Sequence, residues 1–167
     1  TNPHHLKKKK NLNIVYSFSI FVDNVFMNNQ IYQTISPSLF AYKESIFSLL
    51  FDSVPCPWDV IDKMETLFLK DKKPFTGEYK NVFFLNKTTI YIEDGVKIAG
   101  GATIEGPCYI KKNVIIGPGA YIRAGTYLAP NVHIGHCSEV ARSVFFEASK
   151  APHFNYVGDS IIGKEVN

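Results

Sequence analysis

The sequence predicts a mainly β protein, a parallel β-solenoid of six-residue repeats preceded by a short helical segment. Three observations carry that expectation. First, every sixth residue from Ile92 is bulky and apolar: Ile92, Ile98, Ile104, Ile110, Ile116, Ile122, Leu128, Ile134, Val140 and Phe146. At 46% hydrophobic content, chance would fill ten such positions in one phase only about four times in ten thousand. Second, the fourth residue after each of the first nine is small or medium: Val96, Ala102, Cys108, Val114, Ala120, Thr126, Val132, Ser138 and Val144. Third, turn formers stand three residues after the apolar positions: Gly95, Gly101, Pro107, Asn113, Gly119, Gly125 and Asn131.

A helix repeats every 3.6 residues and a strand every two, so neither yields a period of six with turn residues in phase. A short strand followed by a sharp corner does. Glycine and asparagine accept the positive φ that such corners demand. Repeated corners wind the chain into a tube whose periodic isoleucines point inward. With three faces, a turn takes 18 residues, so Ile92 to Phe145 makes three turns, their strands about 4.8 Å apart. The six-residue phase then fails: Pro152 and Gly158 stand where apolar residues are due. Ile162 lies 16 residues beyond Phe146. An interruption of the wall is therefore expected between them, and irregularity in a repeat protein is where a site is sought. The pattern runs to Asn167 without a cap, which suggests a C-terminally incomplete solenoid or an element covering that end.

Ahead of the repeat, Ser36-Pro37-Ser38 forms a helix start, and Leu39, Tyr42, Ile46, Leu49 and Leu50 follow at helical spacing. Pro55 and Pro57 break the pattern, and Val60, Ile61, Met64, Leu67 and Leu69 suggest a second helix from Trp58. Two short helices cannot bury their apolar faces alone, so they are expected to pack on the solenoid or on another subunit. At the start of the chain, Lys7 to Lys10 precede a largely apolar run from Leu12 to Val22. That order suits a signal peptide, but Asp23 and Asn24 follow and no small-x-small cleavage site is present. The preferred reading takes Met27 as initiator. The expected organisation is a tail over 1–26, native or not and outside the fold reasoning, a helical segment over 27–80 and the repeat over 81–167.

The net charge of +3 owes much to that lysine run. The near-neutral remainder argues against a nucleic-acid binder. Cys56, Cys108 and Cys137 are an odd number without metal-ligand or disulfide spacing. Reduced thiols in a cytoplasmic protein are the plainer reading. No stretch reaches the roughly 20 apolar residues of a membrane span. His133, His136 and Cys137 sit around one corner of the repeat and are read as surface residues, so no metal is expected.

Residues Ile116 to Asn167, with the wording "PHFNYVGDSIIG", resemble the left-handed β-helix domain of the bifunctional uridyltransferase/glucosamine-1-phosphate acetyltransferase family and its stand-alone relatives. Some relatives also carry a Pro-Trp pair like Pro57-Trp58 before a helix. The resemblance is good over about the last 50 residues and looser over 36–115. It implies a left-handed coil, a homotrimer, acetyl-CoA as acyl donor and an amino-sugar phosphate or nucleotide sugar as acceptor in cell-envelope precursor synthesis.

By the same resemblance, His153 falls at the catalytic base, Tyr156 at a sugar-phosphate contact, Arg123 at the phosphate-binding arginine and Glu139 at an acidic position near the sugar. Neutral imidazole suits removal of a proton from an amine near pH 7, and a guanidinium fork suits phosphate. One departure stands out. The family has lysine two residues after that glutamate, where this chain has Ala141 beside Arg142, and a strand neighbour points to the opposite side. Contacts to the acyl donor are expected beyond Asn167. The main expectation is therefore an N-acyltransferase whose His153, Tyr156 and Arg123 converge on one groove. Two alternatives stand beside it. One is a non-catalytic scaffold for binding or oligomerisation. The other is the family's nucleotidyltransferase label, for which this sequence shows no glycine-rich nucleotide loop.

Overall fold

The computed structural model describes residues 15–16, 54, 59–68 and 73–167. The helix expected over 39–50 and the Pro57-Trp58 pair lie outside the described residues. The chain contributes β1 (Val15–Tyr16), α1 (Asp59–Phe68) and then fourteen short parallel strands in three faces. The first turn is β2 (Phe83–Leu85), β3 (Ile90–Ile92) and β4 (Lys97–Ile98). The second is β5 (Thr103–Glu105), β6 (Cys108–Ile110) and β7 (Ile115–Ile116). The third is β8 (Tyr121–Ile122), β9 (Thr126–Leu128) and β10 (His133–His136). The fourth is β11 (Glu139–Ala141), β12 (Val144–Phe145) and β13 (Lys150–His153), with β14 (Tyr156–Gly158) and β15 (Ile161–Ile162) above it.

Each face stacks strands of equal phase. The β2 face holds β2, β5, β8, β11 and β14; the β4 face holds β4, β7, β10 and β13. The β3 face holds β3, β6, β9, β12 and β15, and β1 pairs antiparallel along β15, with Val15 opposite Ile162. That pairing adds residues of the 1–26 segment to the fold.

The inward ladders explain the six-residue period. Ile98, Ile116, Ile134 and Ala151 stack on one face. Phe84, Ile104, Ile122, Val140 and Val157 stack on another. The third ladder is Ile92, Ile110, Leu128, Phe145 and Ile162. Most of these side chains are completely withdrawn from water. Each such burial contributes about 1.5–3 kcal/mol. Positive φ falls where turn formers were expected: Gly95, Gly101, Asn113, Gly119, Gly125 and Asn131.

Two expectations need correction. Phe145, not Phe146, continues the ladder above Leu128, and Val144 pairs with Tyr127 rather than filling the small inward slot. Nor is the wall interrupted after Phe146, since β13 and β14 continue two of the faces. The reason is one corner, shortened by a residue in two successive turns, between Val140 and Phe145 and between Val157 and Ile162. Arg142 (φ 44°) and Asp159 (φ 45°) take up the tighter bend. Buried serines complete it: Ser143 Oγ donates to Ala141 O at 2.8 Å, and Ser160 Oγ to Gly158 O at 2.6 Å. The Ser160 N–H in turn donates to Ser143 Oγ at 3.1 Å. A hydroxyl thus answers polar backbone groups that a shorter corner would otherwise strand.

α1 lies against β6 on the β3 face. Val60, Ile61 and Met64 are buried while Asp62 and Lys63 face water, the spacing of an amphipathic helix. The outward tyrosines of this face, Tyr91, Tyr109 and Tyr127, are buried too. Their rings meet edge to face, with centroids 6.2 and 5.5 Å apart. Among the described residues, no helix is long and apolar enough to cross a membrane.

Candidate functional site

Because neighbouring residues of a strand alternate, each β2-face strand presents two outward columns. In the first, Thr103, Tyr121, Glu139 and Tyr156 stand on successive turns. In the second, the same register stacks Glu105, Arg123, Ala141 and Gly158. The solenoid thereby gathers residues 17 or 18 apart onto one wall. Arg123 Nη1 donates to Glu139 Oε1 at 2.8 Å, and Tyr121 Oη donates to Glu105 Oε2 at 2.9 Å. The Glu139 hydrogen bond raises the pKa of the Arg123 guanidinium, and Glu105 does the same to the Tyr121 phenol. The guanidinium carbon also lies 6.0 Å from the Tyr121 ring centre.

Tyr156 is 67% exposed and its ring lies along its own strand over Gly158. A Cβ at Gly158 would stand 2.5 Å from the Tyr156 hydroxyl, so the missing side chain makes room for the phenol.

His153 ends β13, on the corner between the β4 and β2 faces, directly above His136. The Phe154 N–H donates to His136 O at 2.9 Å, and Asn155 Nδ2 donates to His153 O at 2.9 Å. Phe154 has a left-handed φ of 50° and is 73% exposed. Its ring meets His136 edge to face at 4.9 Å and His153 at 6.4 Å. A bulky residue held in that conformation costs about 1–2 kcal/mol, strain of the kind found at functional sites.

Of the residues singled out from sequence, Arg123, Glu139 and Tyr156 thus share the β2 face. His153 stands on the preceding strand, across the corner. Arg142 belongs elsewhere: its Nε donates to Asp159 at 2.7 Å and its Nη2 to Asp62 of α1 at 3.0 Å. It does not replace the lysine lacking at Ala141. Cys137 Sγ lies 3.2 Å from His136 Nε2, while His133 opens β10 and pairs with Lys150. Among the described residues, no group of three or more His, Cys, Asp or Glu side chains is placed to hold a metal. Sequence reasoning missed Tyr121, Glu105 and Phe154. The first two stand 18 residues before Glu139 and Arg123, one full turn below them, so the period itself could have found them.

The six-residue repeat that builds this solenoid is matched by a known family. Residues 89–124 and 107–142 match the family described as bacterial transferase hexapeptide (six repeats). The chain is 40% identical over 111 residues to the bifunctional protein GlmU of Methanococcus maripaludis strain S2, covering 66% of this chain and 27% of that protein. It is 39% identical over 112 residues to the bifunctional protein GlmU of Methanococcus aeolicus, with the same coverage of 66% and 27%. Its repeat segment matches the hexapeptide-repeat family, and the chain is homologous to part of GlmU. It spans about a quarter of the length of these curated relatives.

Proposed function

We propose that the protein is an acyltransferase that moves an acetyl group from acetyl-CoA to the amine of an amino sugar bound at the β2 face. The observation that carries the reading is the wall of Arg123, Glu139 and Tyr156 beside the His153 corner. The similarity to GlmU supports a sugar-derived acceptor, an amino-sugar phosphate or nucleotide sugar of cell-envelope precursor synthesis, and cytoplasmic work as a homotrimer. A second subunit against the exposed Phe154 and Tyr156 would close the groove.

In this reading Glu139 and Tyr156 orient the sugar, and Arg123 binds its oxygens. The His153 imidazole takes the proton from the amine as nitrogen attacks the thioester carbon. The new N–C bond forms, the C–S bond breaks, and the coenzyme A thiolate leaves to be protonated. General-base catalysis of this kind contributes roughly 10²–10⁴ in rate. The acyl donor is a substrate here, not a resident group.

A specific observation favours a second reading, a binding or oligomerisation scaffold without catalysis. Ala141 leaves Arg123 as the single cation of the two columns, and that cation is already paired with Glu139. The deciding experiment is release of free thiol from acetyl-CoA with a panel of amino sugars, their 1-phosphates and nucleotide-linked forms. Turnover that falls at least 100-fold in His153→Ala, with oligomeric state unchanged, supports the enzyme. No turnover on any acceptor leaves the scaffold.

A further inference from the structure

We infer that the underside of the first turn is a docking site for a basic peptide segment of another protein, two lysines followed by asparagine or glycine. The site lies at the corner between the β3 and β4 faces, away from the Arg123 wall, and does not depend on the acyltransferase reading.

The backbone groups of this corner lead to it. Each turn answers the one above with two consecutive residues, the N–H of the first and the C=O of the second. The Glu93 N–H donates to Ile110 O at 2.9 Å, and Asp94 O accepts from the Asn113 N–H at 3.2 Å. Lys111 and Lys112 do the same for Leu128 and Asn131, and Ala129 and Pro130 for Phe145 and Ala148. Phe146 and Glu147 repeat it under Ile162 and Glu165. Ile92 and Gly95 stand 18 residues before Ile110 and Asn113, so the Ile92 C=O and the Gly95 N–H are directed below the first turn. Residues 73–79 cross there out of register. The Phe75 N–H donates to Ile90 O at 2.7 Å, Tyr79 Oη to Val96 O at 3.0 Å, and Lys87 Nζ to Gly77 O at 2.8 Å. Between these ties the strap stands off the corner. It leaves a cleft of about 390 Å³ whose walls include Thr76, Ile92, Asp94 and Gly95, within the ~300–1,000 Å³ range of ligand clefts. Neither Ile92 O nor the Gly95 N–H has a hydrogen-bond partner among the described residues.

A peptide added to an open sheet edge supplies such groups, a donor to Ile92 O and an acceptor for the Gly95 N–H. Its side chains follow from the stack. The first two would stand one rung below Glu93 and Asp94. One rung above the same two carboxylates the chain places Lys111 and Lys112, and Lys111 Nζ meets Glu93 at 2.7 Å. Asp94 is exposed and in no ion pair among the described residues, while Lys73 lies on the strap side of the cleft. The third residue turns the corner, where Gly95, Asn113 and Asn131 all have positive φ. Glycine or asparagine takes that conformation readily.

The test is an amide NMR titration of the full chain at low salt with the capped peptide acetyl-Lys-Lys-Asn-Val-amide. Saturable binding that moves the Gly95 amide resonance is expected. Methylating the backbone nitrogen of the first lysine, which removes the donor to Ile92 O, should weaken it at least fivefold. Acetyl-Glu-Glu-Asn-Val-amide should bind at least tenfold more weakly, and Asp94→Lys should weaken the lysine peptide fivefold or more. The peptide arms keep the test decisive should the protein variant fold poorly. No saturable shift at Gly95, indifference to the methyl group, or equal binding of the acidic peptide would overturn the inference. Residues 9–12 of this chain read Lys-Lys-Asn-Leu, so the titration is repeated after deletion of residues 1–14. Unchanged affinity supports a segment of another protein, and tighter binding would overturn that choice of partner in favour of the chain's own tail.

Discussion

Gly135 lies directly beneath the Pro152 carbonyl, so close that no Cβ fits between them. One turn lower, Gly117 meets the Gly135 and His136 backbone in the same way, with Cβ distances of 2.7 and 2.8 Å. This glycine column lets β10 and β13 close beneath the His153 corner. Backbone atoms cannot step aside as side-chain tips do, so Gly135→Ala should destabilise by at least the ~1–3 kcal/mol typical of overpacking. Gly100→Ala, whose Cβ would meet its nearest atom at 3.4 Å, should change little. Urea unfolding of the two variants checks this; equal midpoints would mean that the column is not packed as described.

Phe145 is 1% exposed in the inward ladder. Phe145→Ala should cost about 3–5 kcal/mol. Phe83, 64% exposed on the outward side of β2, should tolerate the same change to within about 0.5 kcal/mol. Thermal and denaturant melts of the pair read the register of the fourth turn directly.

Phe154 has the opposite character. Its strained backbone conformation suits glycine, while its ring does its packing on His136. Phe154→Gly should leave stability unchanged or raise it by up to about 1 kcal/mol. If His153 is the base, the same variant should lower acetyl transfer, because the corner holding the imidazole loses its aromatic brace. A melting curve and a thiol-release assay on one sample separate the two effects.

Glu93 gives a pH prediction. Burial alone would raise its pKa, but hydrogen bonds from Lys111 and Tyr109, the Lys111 charge and the Lys112 N–H outweigh it and hold the carboxyl below its ordinary value. The Lys111 ammonium lies 2.7 Å away. A lowered folded-state pKa means that the stabilisation is present at neutral pH. It fades as pH falls from about 4.3 through the folded value. Both partners are partly exposed, so the effect is expected at no more than about 1 kcal/mol. Glu93→Gln should be less stable than wild type at pH 7 and equal to it near pH 2. A constant difference across that range would exclude the linkage.

Much of this architecture was legible in the sequence because a solenoid repeats one local problem. Ile104 and Ile122 meet the same surroundings one turn apart, so the pattern of one is the pattern of the other. The corners at Asn113 and Asn131 were legible for a similar reason, since positive φ limits the choice of residue wherever it recurs. The candidate wall was readable only through resemblance. No periodicity marks Arg123 or Tyr156 as a site, and their outward positions tolerate any soluble side chain. Glu105 and Tyr121 went unnoticed because their importance lies in standing one turn below Arg123 and Glu139.

By itself, then, the sequence determined the period, the inward ladders and the turn residues, because burial and positive φ select residue types locally. Tertiary structure alone decided the phase after Val140. A corner one residue short leaves almost no trace in composition. The turn below still imposes its hydrogen bonds, however, so Phe145 must stand over Leu128 and the chain bends through Arg142 to put it there. That vertical register, set by backbone pairing between residues 17 or 18 apart, also decided that Arg142 braces α1 while Arg123 meets Glu139.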